Sequence, residues 1–357
     1  MAQVNRLDHP LYQEDIQRAC SYAESNDIFP SLRNKTIAIT GATGLIGSFL
    51  IDMLIYANDH YDLGAHVYAL GRNSEKARQR LPYTHRDDYT FETYDVSAPL
   101  CTPQKKADLA IHLASTTHPR AYSQMPIATM TSNFIGTTNL LDYCAHHNAD
   151  FILASSVEIY GESRKDVTSF DETYCGYLDC NTLRAGYPEA KRASEALCQA
   201  YKEERDVSSY IARLPRTFGP TLLQSDTKAL SQFLHKGISH EDIILKSEGK
   251  QYYSYLYVVD SVIGMLHAYA RGSAQEAYNV AHSSGDIHLK DLAQYIATSA
   301  GTRVVFDIPD AQEAKGYSTA TQALMNGEKL QILGFTPLYS LNEAIDRTLH
   351  ICRDITD

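Results

Sequence analysis

Apolar and polar positions follow one rhythm at the start of the chain and another after it. Between residues 11 and 26, Leu11, Ile16, Ala19, Cys20 and Ala23 recur close to helical spacing, which predicts a helix ahead of the first strand signal. From Lys35 the pattern becomes apolar strand, glycine turn and amphipathic helix, repeated. Thr36–Thr40 reads as a strand, 45–57 as a helix, His66–Leu70 as a strand and 74–81 as a helix. Strands then follow at 89–96, 107–114 and 150–156. Short apolar strands alternating with helices predict an α/β fold, a doubly wound parallel sheet covered on both faces.

After Arg213 the regularity loosens. The pattern predicts a helix over 227–239, strands at 251–259 and 276–281, a helix over 289–300 and a last helix near 341–354. The division expected is an N-terminal helical extension (1–34), a larger doubly wound domain (35–214, with 251–283 returning to it) and a smaller, mixed lobe (215–250 and 284–357). No Gly/Ser-rich or Pro-rich linker separates the halves, so a shared cleft is the expected ligand site.

Composition narrows the partners. With 43 acidic against 32 basic residues and a net charge of −11, the chain is a poor match for a nucleic-acid backbone, whose affinity comes from Lys and Arg on phosphates. Seven cysteines without a CxxC pair read as reduced thiols of a cytoplasmic protein. The first residues lack a signal-peptide core, and no run approaches the roughly 20 apolar residues of a membrane span. The expectation is a soluble protein with no membrane partner. His118, His146 and His147 have no ligand spacing matched elsewhere, so no metal is expected.

The chemistry begins at Thr40-Gly41-Ala42-Thr43-Gly44-Leu45-Ile46-Gly47, a glycine loop that follows a strand and opens a helix. That context is the one a Rossmann dinucleotide fingerprint requires. Gly41 permits the tight turn, Gly44 lets backbone approach a pyrophosphate, and Gly47 lets the helix pack on the strand. The helix N-terminus then offers free N–H groups to the phosphates. Gly41, Thr43, Gly44, Leu45, Ile46 and Gly47 are therefore expected at a bound NAD(P). The second strand ends in Gly71-Arg72-Asn73, where an NAD-selective site commonly has an acid; Arg72 leans toward NADP. Asp95, taken as the end of the third strand, is a candidate for the adenine amino group, although such an Asp is often only a turn residue.

Tyr187 and Lys191 lie one helical turn apart on one face. Removing a proton from an alcohol near neutral pH calls for a phenol of lowered pKa, and an adjacent ammonium favours phenolate. The spacing alone is weak among 25 tyrosines, but Ala154-Ser155-Ser156-Val157-Glu158-Ile159-Tyr160-Gly161 lies upstream as an apolar strand ending in hydroxyls and a carboxylate.

With the glycine loop, this order resembles the extended short-chain dehydrogenase/reductase family over essentially everything after residue 35. His112-Leu113-Ala114-Ser115, Pro119, Tyr122, Pro126-Ile127, Thr129 and Asn133-Phe134-Ile135-Gly136-Thr137 look most like UDP-glucuronate decarboxylases, and more distantly like sugar 4,6-dehydratases and 4-epimerases. The resemblance implies Ser156 on the sugar O4, Tyr187 as base, Lys191 as its electrostatic partner and Glu158 as a second acid/base. It implies tightly held cofactor, leaning to NAD, with Asn73, Val96, Ala114 and Pro215 also at it. Ser115, Tyr122, Ser156, Arg216 and Tyr253 are the implied substrate contacts. A homodimer paired through helices near 123–147 and 187–205 is implied too.

Two positions depart from that pattern. Arg216-Thr217-Phe218-Gly219-Pro220 replaces Asn-x-Tyr-Gly-Pro, and Tyr253 stands where an Arg is expected before Tyr-Val-x-Asp. Arg216 is the candidate replacement for that cation on the diphosphate. Val157 occupies the place where dehydratases pair an Asp with the Glu. The reading is a nucleotide-sugar enzyme that oxidises C4 and acts on the 4-keto intermediate as a decarboxylase-like or dehydratase-like lyase. A 4-epimerase is the alternative. A non-catalytic nucleotide sensor on the same fold is the alternative of another class, and it would need the glycine loop but not a poised base.

Overall fold

A computed structural model describes residues 5–99, 101–115, 122, 124–164, 166–307 and 321–355. The order of elements is α1 (Pro10–Ser25), β1 (Thr36–Thr40), α2 (Leu45–His60), β2 (His66–Gly71), α3 (Ser74–Arg80), β3 (Tyr89–Thr93), β4 (Leu109–His112), α4 (Pro126–His147) and β5 (Asp150–Ser156). It continues with α5 (Gly186–Arg205), β6 (Ser209–Leu214), β7 (Arg216–Phe218), α6 (Ala229–Ile238), β8 (Ile243–Leu245), β9 (Tyr252–Tyr257), α7 (Val258–Arg271) and β10 (Ala277–Asn279). The last elements are β11 (Asp286–His288), α8 (Leu289–Ala300), β12 (Val304–Phe306), β13 (Gln322–Ala323), α9 (Glu328–Ile332) and α10 (Leu341–Asp354).

Seven strands form one sheet in the order β10-β6-β5-β4-β1-β2-β3, every pair parallel. The strand order reverses between β1 and β4, and ligands of doubly wound sheets bind at the carboxyl ends of strands beside such a switch point. The glycine loop after β1 and residues 113–115 after β4 flank that gap. A separate small sheet is built on β9, which pairs with β7, β11 and β13.

Two local features differ from the sequence pattern. β9 stops at Tyr257 rather than residue 259, because the apolar run goes straight on into α7, a helix buried from Val258 to Tyr269. Periodicity cannot show a break inside a run that is apolar on every side. β3 ends at Thr93, so Asp95 lies in the turn beyond it. Among the described residues no helix is long and apolar enough to cross a membrane.

Candidate active site

The glycine loop is shaped by backbone proximity. Gly41 has φ +69°, and a Cβ there would lie 2.8 Å from the Ala114 nitrogen. A Cβ on Gly47 would lie 2.3 Å from the Gly41 oxygen, so α2 could not start where it does with any other residue. Thr40 and His112, facing each other at the strand ends, share a 2.8 Å hydrogen bond, and Ala114 N–H donates to the Thr40 hydroxyl at 3.2 Å. Thr43, Leu45 and Ile46 are partly buried at the start of α2, and Thr221 from the loop after β7 donates to the Leu45 carbonyl at 2.7 Å. The close backbone approach at Gly41 and Gly47 and the N-terminus of α2, which has no side-chain cap at Gly44, fit a dinucleotide pyrophosphate.

The adenine end is more open. Arg72 and Asn73 are exposed, and the Asn73 side chain accepts from Lys76 N–H at 2.9 Å as the cap of α3. One Asp95 oxygen accepts from both the backbone and the hydroxyl of Ser97. Those Ser97 bonds, and more weakly the Arg72 charge, hold the Asp95 carboxyl below its usual range. Val96 is buried against Gly136, and Pro215 is buried between β6 and β7.

Ser156 ends β5, accepts from Glu158 N–H at 3.3 Å and starts a single turn of tight helix at Val157–Tyr160. Tyr187 enters from the first turn of α5, and its phenol is in hydrogen-bond contact with the Ser156 hydroxyl. A lowered phenol pKa was expected at Tyr187; instead burial pushes it up to about 12, with the Ser156 contact opposing and Glu158 adding to the rise. The expected ammonium does not offset this, because Lys191 points its Nζ at the Ala154 carbonyl, 2.6 Å away, and burial lowers its own pKa to about 8.

Beneath the lysine, Glu195 takes two bonds from Arg213 and one from Ser155. Arg213 also holds Tyr160 and the Glu172 carbonyl. Arg192 binds the carbonyls of Ile159 at 2.7 Å and Gly176 at 2.9 Å. The turn that carries Glu158 and the backbone at Glu172 and Gly176 are thereby tied to Arg213 of β6 and Arg192 of α5.

One functional candidate was not anticipated from the sequence. Arg184, just before α5, donates to Glu158 at 2.7 Å and lays its guanidinium 4.8 Å from the centre of the Tyr122 ring. Tyr122 in turn stacks on Tyr187, with centroids 5.2 Å apart and planes at 21°. The signal available was an Arg three residues before the Tyr, on the same helical face if the turn is extended. Tyr122 is buried, and the Asp226 charge also reaches it.

The two departures noted above meet in space. β7 runs beside β9, and the Arg216 guanidinium lies 3.5 Å from the centre of the Tyr253 ring, the residue that stands in for the missing Arg. Among the described residues, one Arg216 nitrogen, Nη1, is buried without a hydrogen-bond partner, as is the Ser115 hydroxyl. Buried orphans of this kind ask for a ligand or water. Among the described residues no group of three metal-ligating side chains comes together. His118 and Pro119 lie outside the described residues.

The sequence model of the NAD dependent epimerase/dehydratase family matches residues 37–281. The chain belongs to that family. Among its relatives is UDP-glucuronic acid decarboxylase 1 of Xenopus tropicalis, 28% identical over 323 residues that make up 89% of this chain and 72% of that protein. UDP-glucuronic acid decarboxylase 6 of Arabidopsis thaliana is 27% identical over 318 residues, 87% of each chain. Of solved structures, UDP-glucose 4-epimerase of Thermotoga maritima with UDP-glucose shares the fold at TM-score 0.74 and 20% identity, covering 88% of this chain and 98% of its own. A double mutant of dTDP-glucose 4,6-dehydratase from Streptomyces venezuelae, with NAD bound, does so at TM-score 0.74 and 21% identity, covering 89% and 97%.

Proposed function

We propose that this chain oxidises the C4 hydroxyl of a nucleoside-diphosphate sugar and then acts on the 4-keto intermediate as a decarboxylase-like lyase. The observation that carries this reading is the placement of a carboxylate, Glu158, beside the Ser156–Tyr187 pair at the end of β5. Simple oxidation and return of hydride to the other face needs no such group. The decarboxylases among the relatives support the same outcome.

Ser156 orients the C4 hydroxyl between its own oxygen and that of Tyr187, which takes the proton. The N-terminus of α5 and a nearby positive charge are what bring a buried phenol down into a working range. When bound, the nicotinamide supplies both the hydride acceptor and that charge. Lys191, already desolvated and held at Ala154, is in place for ribose hydroxyls. Oxidation makes a C5 carboxylate β to a ketone, so loss of CO2 leaves its electron pair in an enolate. Glu158 then manages the proton at C5.

We assign NAD rather than NADP. The exposed Arg72 already shares its field with the Asp95 carboxylate, which would repel a 2'-phosphate. Mass analysis of cofactor released on denaturation should find NAD; recovered NADP would reverse the assignment. Seven cysteines, all unpaired, support a reducing compartment such as the cytoplasm.

The reading is tested by product analysis on a panel of nucleotide sugars, followed by Glu158→Gln. Gln keeps the shape but exchanges no proton, so product formation should fall roughly a hundredfold or more while the first hydride transfer survives. Reduced nicotinamide should accumulate, visible by its absorbance. Full turnover by Glu158→Gln would remove the case for a lyase and favour the 4-epimerase.

A further inference from the structure

The arginines around the catalytic turn are not used alike. Arg213 is committed to a buried carboxylate and to the loop, and Arg192 and Arg164 hold backbone carbonyls. Arg184 differs. Among the described residues it donates to Glu158 alone, and its guanidinium is stacked on Tyr122, which is stacked on the proposed base. Its side chain is 43% exposed and that of Glu158 27% exposed, so the pair stands at the rim of the site. An ion pair so exposed contributes only about 0–1 kcal/mol to stability, and folding does not account for it.

Nor does the oxidation of a neutral hexose. The diphosphate end of the substrate has Arg216 available, with its buried, unpartnered nitrogen. Beyond Glu158, a second guanidinium next to the sugar-oxidising phenol has an anion to meet in the substrate only if the sugar itself carries one. The Tyr122 ring lies over the guanidinium, 4.8 Å from its carbon, and the side of the guanidinium that meets Glu158 is already engaged by a carboxylate oxygen, so a carboxylate is the partner its fork of N–H donors suits.

We propose that Arg184 is the sugar-end specificity residue, which exchanges Glu158 for a carboxylate on C5 of the sugar and so selects a nucleoside-diphosphate uronate over the corresponding hexose. This rests on the reading of C4 oxidation given above. In the free enzyme Glu158 fills the place of the substrate anion and keeps the guanidinium neutralised. Substrate binding moves the guanidinium to the incoming carboxylate and frees Glu158 beside the phenol, where a carboxylate without a fixed partner can exchange a proton. Glu158 and the substrate therefore compete for one cation, and removing either side of the pair has opposite effects on uronate binding.

The experiment is calorimetric titration of the cofactor-loaded enzyme with UDP-glucuronate and with UDP-glucose, alongside nicotinamide absorbance after mixing with each. Arg184→Gln should weaken UDP-glucuronate binding roughly tenfold to a hundredfold, the worth of a charged hydrogen-bonded pair, and UDP-glucose binding less than about threefold. Arg184→Lys should fall between. Glu158→Gln should tighten UDP-glucuronate binding and leave UDP-glucose unchanged, an effect that a merely structural ion pair would not produce. Unchanged melting temperatures check that the variants fold. Equal weakening of both sugars by Arg184→Gln, or looser uronate binding in Glu158→Gln, overturns the inference. If wild type reduces its cofactor with UDP-glucose and ignores UDP-glucuronate, the inference fails while the C4-oxidation reading stands. Reduction by neither, nor by the wider panel, overturns both.

Discussion

Tyr253 and Arg216 show how a departure at one residue is answered at another. Tyr253 of β9 stands where the resemblance implies a cation, and the neighbouring strand β7, whose Arg216 pairs with Tyr255, brings the Arg216 guanidinium 3.5 Å from the centre of the Tyr253 ring. Stacking orients the guanidinium and its unpartnered Nη1 remains for an anion. Arg216→Ala should therefore raise the substrate KM roughly tenfold or more, the worth of a charge-assisted hydrogen bond, and barely disturb cofactor binding. Steady-state kinetics beside a cofactor titration would decide it, and unchanged substrate affinity would sink the assignment. The sequence could propose Arg216 because a missing cation is visible as a mismatch. It could not show Arg184, whose importance lies in a stack through Tyr122, 62 positions away in the chain and joined to it only by tertiary packing. Nor could it show that Lys191 turns to a backbone carbonyl, since side-chain direction is set by burial around the helix.

At the level of elements, the succession of strands up to β5 and the helices after β1 and β2 were legible because each buries one continuous apolar run between glycine or polar breaks, whereas α4 and α5 were expected only from the resemblance. The boundaries at β9 and α7 were not legible, because nothing polar separates them. The same logic of exposed and buried faces bears on assembly. α4 packs on α5 through bonds such as Thr137 to Ser194 at 3.1 Å, yet the N-terminal half of α4 leaves Ile127 77%, Met130 44% and Phe134 43% exposed. These residues follow each other at three- and four-residue steps on one face, and Leu183, 65% exposed, precedes α5. An apolar stripe of that kind marks an interface. We propose that a second copy of the chain covers it through α4 and α5. Light scattering at micromolar concentration should give a dimer mass, and Ile127→Glu with Phe134→Glu should give a monomer. A monomeric wild type would refute the proposal.

Across the whole molecule, α1 ties together parts that are distant in sequence. On one side Arg6 and the phenols of Tyr12 and Tyr83 all bond to the buried Asp52 of α2. On the other, Asp15 accepts from Tyr257 of β9 at 2.6 Å and Arg347 of α10 at 2.8 Å. Asp260, in the first turn of α7, completes this junction by accepting from the Leu338 N–H at 2.6 Å, while among the described residues its second oxygen is buried with no hydrogen-bond partner. Burial, more than the nearby charges of Asp15 and Glu343, raises the Asp260 carboxyl from 3.8 to about 8. The sign of the stability effect follows from proton counting. Between these two values the folded chain keeps a proton that the unfolded chain has lost, so stability is greatest below the ordinary carboxylate range and declines as pH rises toward 8. Asp15 is raised too, by burial, and adds a decline of the same sign. Asp260→Asn keeps an acceptor for Leu338 but has no charge to bury. Melting curves from pH 5 to pH 9 should show the variant gaining on wild type as pH rises, with the difference levelling off above about pH 8, where wild type has given up its proton. Parallel curves across that range would mean that Asp260 is ionised in the folded chain throughout, and that some partner of its second oxygen has to be found.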